Sequence, residues 1–95
     1  MRRLLLAPLA AAILATPIAH ANPDNPADQQ NFFESVESQG VSGPHDELLA
    51  LGRDVCAVQH TGMDPGEIEQ YLRKEAPITM YIASVIRIEA ELHLC

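Results

Sequence analysis

Leu48–Cys56, which reads Leu-Leu-Ala-Leu-Gly-Arg-Asp-Val-Cys, contains the first of only two cysteines in this chain. The second cysteine is the last residue, Cys95. If the two join, the segment between them becomes one closed loop, and every residue before Cys56 either packs onto that loop or extends away from it. This stretch therefore decides the architecture, and it leaves the function open.

The first 21 residues have the three parts of a secretory signal peptide. Met1-Arg2-Arg3 is basic, an apolar run from Leu4 to Ala15 follows, and Ala19-His20-Ala21 has the small-x-small form of a cleavage site. The apolar run is shorter than the roughly 20 residues that a membrane-spanning helix needs. We expect cleavage of residues 1–21, export by the general secretory route, no stable membrane insertion afterwards, and a location in the cell envelope or extracellular space.

The expected mature chain, Asn22–Cys95, is small and acidic. Loss of Arg2 and Arg3 with the signal peptide leaves four basic and 13 acidic residues, a formal net charge of −9. Nucleic acids and anionic membranes attract basic surfaces, so we expect neither as a partner. The remaining 74 residues form one domain at most. A core of that size seldom supplies more than about 3–5 kcal/mol of stability.

Two cysteines in an exported chain favour a structural disulfide between Cys56 and Cys95. An exported protein enters an oxidising compartment, and two thiolates are too few ligands for a zinc site. The separation of 39 positions excludes a Cys-x-x-Cys redox motif. In the chain-entropy description, closing a loop of roughly 40 residues stabilises a fold by about 4 kcal/mol.

The polar, proline-rich sequence at residues 22–27 predicts a flexible tail. The disulfide-linked helical domain then occupies residues 28–95, and its first helix begins near Ala27 or Asp28 and ends at Gln39. We expect about four short helices and therefore an all-α bundle, closed by one disulfide.

Phe32 and Phe33 are the only phenylalanines in the chain, and they lie next to each other in the first predicted helix. We expect both in the core. If one of the pair faces outward, it becomes a candidate contact for a protein partner.

Three glycines indicate where helices end or cross. Gly40 and Gly62 suit the left-handed position that follows a helix. Gly52 falls inside the second predicted helix, which runs from Pro44 to about Thr61. A glycine in mid-helix costs about 1 kcal/mol relative to alanine, so Gly52 indicates a close helix crossing.

Asp64-Pro65-Gly66-Glu67 is the clearest local signal in the chain. Asp64 can accept a hydrogen bond from the amide of Glu67, and the Glu67 side chain can reach back, which together form an aspartate version of a capping box. The short helix that follows ends at Ala76-Pro77, because a residue before proline avoids helical angles. Thr79 can cap the last predicted helix. An apolar seam recurs along this helix at spacings of four and three, formed by Tyr81, Val85, Ile88, Leu92 and Cys95, and Ile82 and Ile86 widen it.

With these features on one chain, the sequence resembles the mycobacterial secreted family catalogued as domain of unknown function 732. The resemblance rests on an early aromatic pair, Gly40-Val41, the segment Leu51–Cys56, Gly62, and a final apolar helix that ends in cysteine, and it covers essentially the whole mature chain. Gly52, four residues before the first cysteine, is its most specific part. The resemblance implies a small exported helical domain with a disulfide between Cys56 and Cys95, and it implies no activity.

Few residues of the chain suggest chemistry. His45, His60 and His93 share no local metal-ligand spacing. No catalytic triad motif or phosphate-binding glycine loop occurs, so we expect neither an enzyme nor a bound cofactor. A haem site remains an alternative, because several residues are of types that ligate haem iron. These are Tyr71, Tyr81, His60, His93 and Met63.

We expect a monomeric, non-catalytic interaction or structural module of the cell envelope or extracellular space, with an unidentified protein partner. The broad apolar face of the last helix favours partner binding, because it exceeds what three short helices can cover. The alternative is a carrier of a small hydrophobic ligand or haem within the helical bundle.

Overall fold

A computed structural model describes residues 20–95 of the chain. In this part there are four helices and no strand: α1 (Pro26–Ser38), α2 (His45–Gln59), α3 (Pro65–Glu75) and α4 (Met80–His93). A disulfide joins Cys56 to Cys95. The prediction of an all-α bundle closed by one disulfide is therefore confirmed. The predicted signal peptide lies outside the described residues except for His20 and Ala21, and it stays a prediction.

The last helix, α4, is the centre of the bundle, because it packs against each of the other three helices. Arg87 also links α4 to α3 through a 2.8 Å ion pair from its Nε to Glu69 Oε2, and both side chains are largely buried. The core between the helices is apolar, and its largest fully buried side chains come from all four helices and the α1–α2 loop. They are Phe32, Ile68, Leu72, Ile86, Leu94, Val36, Val41 and Val55.

The buried face of α4 differs from the predicted seam. Val85 is buried, but Tyr81, Ile88 and Leu92 are 59%, 41% and 65% exposed. The buried residues of α4 are Ala83, Val85, Ile86 and Ala90, and Leu94 just after the helix is also buried. The burial of Val85 and Ile86 agrees with the predicted seam and its flank, whereas Ala83 and Ala90 were not part of it. α4 is apolar around most of its circumference, and the small alanines on this face let the neighbouring helices approach closely.

Residues 22–25 precede α1, which begins within the predicted tail, and the flexibility of residues 22–27 stays a prediction. α1 begins at Pro26, and the Asn25 side chain caps it by accepting hydrogen bonds from the next residues of the helix. The chain before the helix is also held: Gln29 Nε2 donates to the Pro23 carbonyl at 2.7 Å, and Arg53 of α2 pairs with Asp24 at 3.0 Å. Polar groups of residues 23–25 are therefore bonded to α1 and α2.

The remaining helix boundaries follow from local sequence. Gly40 and Gly62, after α1 and α2, both have φ of +86°, a conformation that strains any residue with a Cβ. α2 begins at His45, one residue later than predicted. Pro44 is its N-cap residue and gives no side-chain cap. Thr79 caps α4 by accepting from the amide of Ile82 at 3.1 Å.

Candidate functional site

The disulfide and Gly52 lie where α1, α2 and the end of α4 meet. The Cα atoms of Cys56 and Cys95 are 5.2 Å apart, so α2 is tied to the residues that follow α4. One turn before Cys56, a Cβ atom on Gly52 would lie 2.5 Å from Leu94 Cδ1 and 3.1 Å from Phe32 Cζ. Only glycine leaves room for α1 and the end of α4 against α2, as the crossing inferred from the sequence requires.

Asp64 and Glu67 form the capping box at the start of α3. Asp64 Oδ1 accepts from the amide of Glu67 at 2.8 Å, and Glu67 Oε1 accepts from the amide of Asp64 at 3.0 Å. With Gly40 and Gly62, which reverse the chain after α1 and α2, these residues set the directions of the helices. The two hydrogen bonds of the capping box are internal to the fold.

Phe32 and Phe33 do not supply an exposed aromatic contact. Phe32 is fully buried and Phe33 is 8% exposed. The ring of Phe33 is covered by His45, which stacks on it with centroids 3.8 Å apart and an angle of 9°. Glu37 holds that imidazole through a 2.9 Å contact to His45 Nε2. Contact with a partner was predicted only if one of the two rings faced outward. Both rings belong to the core, so this condition is not met.

The five residues considered as haem ligands are divided among different parts of the molecule. Tyr81 donates its hydroxyl to the Gln39 carbonyl at 2.7 Å. His93 Nε2 lies 3.1 Å from Ser35 Oγ. Met63 and Tyr71 share the lining of a cavity of about 510 Å³ beside α3. Among residues 20–95, no three side chains of the types His, Cys, Asp and Glu are placed to hold a metal ion together.

A larger cavity of about 530 Å³ lies on another side of the bundle. We call it the α2–α4 groove, because its walls come from these helices and from the loops that precede each of them. Most of its lining is apolar, and the apolar side chains include Val41, Leu48, Leu51, Ile78, Ile82 and Ile86. Sequence reasoning missed this groove, because its lining comes from segments that are distant along the chain.

Carboxylates also line the α2–α4 groove, which contains no basic side chain in its lining. Glu47 and Asp54 come from α2, and Glu75 comes from the last turn of α3. Partial burial, followed by the charge of Glu75, raises the pKa of the Asp54 carboxyl above its ordinary value. The charges of Glu75 and Asp54 also raise the pKa of the neighbouring Tyr71. Asp54 and Glu75 are therefore close enough for their charges to repel each other.

A second surface lies along the outer side of α4. Tyr81, Ile88 and Leu92 follow one another at helical spacings of seven and four, which place them on one side of the helix. All three are exposed, and Met80 at the start of α4 is 41% exposed as well. We call Tyr81, Ile88 and Leu92 the α4 stripe. Tyr81 is fixed in place by its hydrogen bond to the end of α1.

Fold and geometry define a small four-helix domain that is closed by one disulfide. Residues 27–95 match the family described as "Protein of unknown function (DUF732)", and the chain belongs to that family. The family predicted from the sequence is thereby confirmed. No curated protein and no solved structure matches the chain. Within the described residues, none of the helices is both long enough and apolar enough to cross a bilayer.

Proposed function

We propose that this chain is an exported, non-catalytic interaction protein, and that the α4 stripe is its contact surface. The observation that carries the proposal is the exposure of three large apolar side chains on the central helix of the bundle. Large apolar residues at helical spacing bind a groove or a second apolar face in many protein complexes. The helix that presents them is held on its other sides by α1, α2 and α3, so the surface is rigid.

Three features support this role over a purely structural one. The Tyr81 ring is positioned by a hydrogen bond and needs little ordering when a partner binds. Ile88 and Leu92 extend the surface away from that ring. The acidic composition keeps a chain with such a patch soluble.

The test is site-specific photocrosslinking in the native culture. A photoreactive amino acid at Ile88 or Leu92 is expected to give the same discrete adduct, whereas one at Glu34, an exposed position on α1, gives none. Adducts of equal yield at all three positions, or none at either stripe position, would contradict the proposal. An adduct with a second copy of the chain would replace the expected monomer by a homo-oligomer.

The export part of the proposal needs its own measurement. The mature protein recovered from the culture medium or envelope is expected to begin at Asn22. Recovery from the cytoplasm with residues 1–21 attached would overturn export while leaving the contact surface to the crosslinking result.

Carriage of a small hydrophobic ligand is a second candidate function, favoured by the α2–α4 groove. Its volume of about 530 Å³ falls in the range of roughly 300–1,000 Å³ that small-molecule sites occupy. Native mass spectrometry of the protein from its own culture is expected to show a bound mass that is lost on denaturation. Haem is tested separately by its absorbance: a spectral shift on mixing that Tyr71→Phe or Met63→Leu removes would support it.

A further inference from the structure

We propose that the α2–α4 groove binds a small organic cation with an apolar tail, of the alkylammonium class. The inference rests on the second candidate function, ligand carriage, and names the chemistry of the ligand. Two properties of the groove lead to it: an apolar lining and a set of carboxylates without basic partners.

The apolar lining provides for the tail of the ligand. Leu48 and Ile86 form the buried floor of the groove, and the partly exposed side chains of Leu51, Ile78 and Ile82 line it above them. Most of the exposed surface inside the groove belongs to carbon atoms. A hydrocarbon chain placed there removes apolar area from water on both the ligand and the protein, which is favourable in proportion to that area.

The carboxylates bind the cationic head group of the ligand. Among residues 20–95, Glu47, Asp54 and Glu75 form no ion pair, and each of them lines the groove. A cation between two carboxylates reduces their electrostatic repulsion, whereas an anion or a neutral group does not.

Three of the four lysines and arginines in residues 20–95 have other partners, and the fourth, Lys74, lines the cavity beside α3 instead of the groove. Arg53 pairs with Asp24, and Arg87 pairs with Glu69 and Glu91. Arg73 directs its Nε toward the Ile78 carbonyl at 3.4 Å. These contacts leave the carboxylates of the groove to a cation that is not part of the protein.

The raised pKa of Asp54 agrees with this assignment. Burial and the charge of Glu75 disfavour the ionised carboxylate in the folded chain. A bound ammonium group offsets both effects, because it replaces lost hydration and screens the neighbouring charge. Acidic groups kept in an unfavourable environment are typical of binding sites.

The experiment is titration calorimetry with three probes that share an eight-carbon chain and differ in charge: octyltrimethylammonium, 1-octanol and octanoate, each below its micellar concentration. We expect the ammonium to bind most tightly and octanoate most weakly, and we expect the preference for the ammonium to fall as salt is raised. In Asp54→Asn/Glu75→Gln the ammonium is expected to bind about tenfold more weakly. Glu34→Gln removes one charge on α1 and is expected to bind as the unchanged protein does.

A second variant, Ala50→Arg, tests the position of the head group. Ala50 is an exposed residue of the groove, one helical turn before Asp54, so an arginine there can pair with Asp54 at the spacing of four residues. Loss of ammonium binding in this variant supports the site.

The outcomes separate the two levels of the proposal. Equal binding of the ammonium and 1-octanol would overturn the cation preference and leave ligand carriage standing. Binding of none of the three probes would overturn carriage in this groove as well. Unchanged ammonium binding in the Asp54→Asn/Glu75→Gln variant would overturn the role of these carboxylates.

Discussion

Gly52 is the residue at which the packing of the bundle depends most directly on side-chain size. In Gly52→Ala, the new methyl group meets Leu94 and Phe32, and both are fully buried and have little space to move. Overpacking of this kind costs about 1–3 kcal/mol, and the better helix propensity of alanine offsets about 1 kcal/mol of it. We expect a net loss of up to about 2 kcal/mol in the free energy of unfolding, measured by urea denaturation.

Gly43→Ala is the matched control, because a Cβ at this position meets nothing within 4 Å and its φ is not positive. Replacement of glycine at such a site leaves stability unchanged or raises it by about 0.4–1 kcal/mol. Equal effects of the two substitutions would contradict a special packing role for Gly52.

The Asp54 carboxyl makes the free energy of unfolding depend on pH. Its pKa in the folded chain is raised above the ordinary 3.8, so the folded state holds this proton more tightly than the unfolded state does. Stability from this group is therefore lost as pH rises from about 4 through the folded-state pKa, and the ionised carboxylate is unfavourable at neutral pH. We expect Asp54→Asn to be more stable relative to the unchanged protein at pH 7 than at pH 3. Urea unfolding at both pH values measures this, and a difference that is the same at pH 3 and pH 7 would refute it.

At the scale of the helix, the capping box decides where α3 begins. Asp64→Ala removes the bond from the Glu67 amide to the Asp64 carboxylate, whereas the backbone amide of residue 64 can still donate to the Glu67 side chain. Loss of an N-cap residue costs about 0.5–2 kcal/mol, and we expect the midpoint of urea unfolding to fall accordingly. Asp46→Ala in the first turn of α2 is the control, since its carboxylate bonds only to the next amide. We expect it to cost a few tenths of a kcal/mol, and a cost as large as that of Asp64→Ala would argue against the box.

The helices were predictable where their signals are local. Gly40, Gly62 and the pair Asp64 and Glu67 act through residues within one or two turns, so the sequence around them is sufficient to place the helix ends. The orientation of α4 was not predictable in the same way. Its apolar residues cover most of its circumference, and periodicity cannot tell which side the other helices will bury.

The candidate surfaces were missed or misplaced for the same physical reason. Ile88 and Leu92 match a core seam in sequence, and only the packing of Ala83 and Ala90 against other helices turns them outward. The α2–α4 groove needs the α1–α2 loop, α2, the α3–α4 loop and α4 together. No window of sequence contains all of these segments, so their contacts depend on the tertiary fold.

At the scale of the whole molecule, the disulfide contributes much of the stability. It closes a loop of roughly 40 residues, and its removal is expected to lower the free energy of unfolding by about 4 kcal/mol. That is comparable to the total of about 3–5 kcal/mol that a core of this size supplies. We therefore expect the Cys56→Ser/Cys95→Ser variant to keep only about half of the stability of the oxidised protein and to unfold at a lower temperature. Circular dichroism measures the helical content, and an unchanged thermal midpoint in the variant would contradict this account.

The placement of the disulfide has a consequence for motion. The covalent loop contains α3 and α4, whereas α1 precedes it and is joined to α2 only by the short chain after Gln39. α1 can therefore detach while the loop stays closed. The cost is limited to the contacts of α1, which include those of Phe32 and the hydrogen bond between Ser35 and His93. Amide hydrogens of α1 are expected to exchange with deuterium faster than those of α4 in the oxidised protein. Such an opening would briefly expose the apolar surface of α4 that α1 covers, beside the stripe that is already exposed.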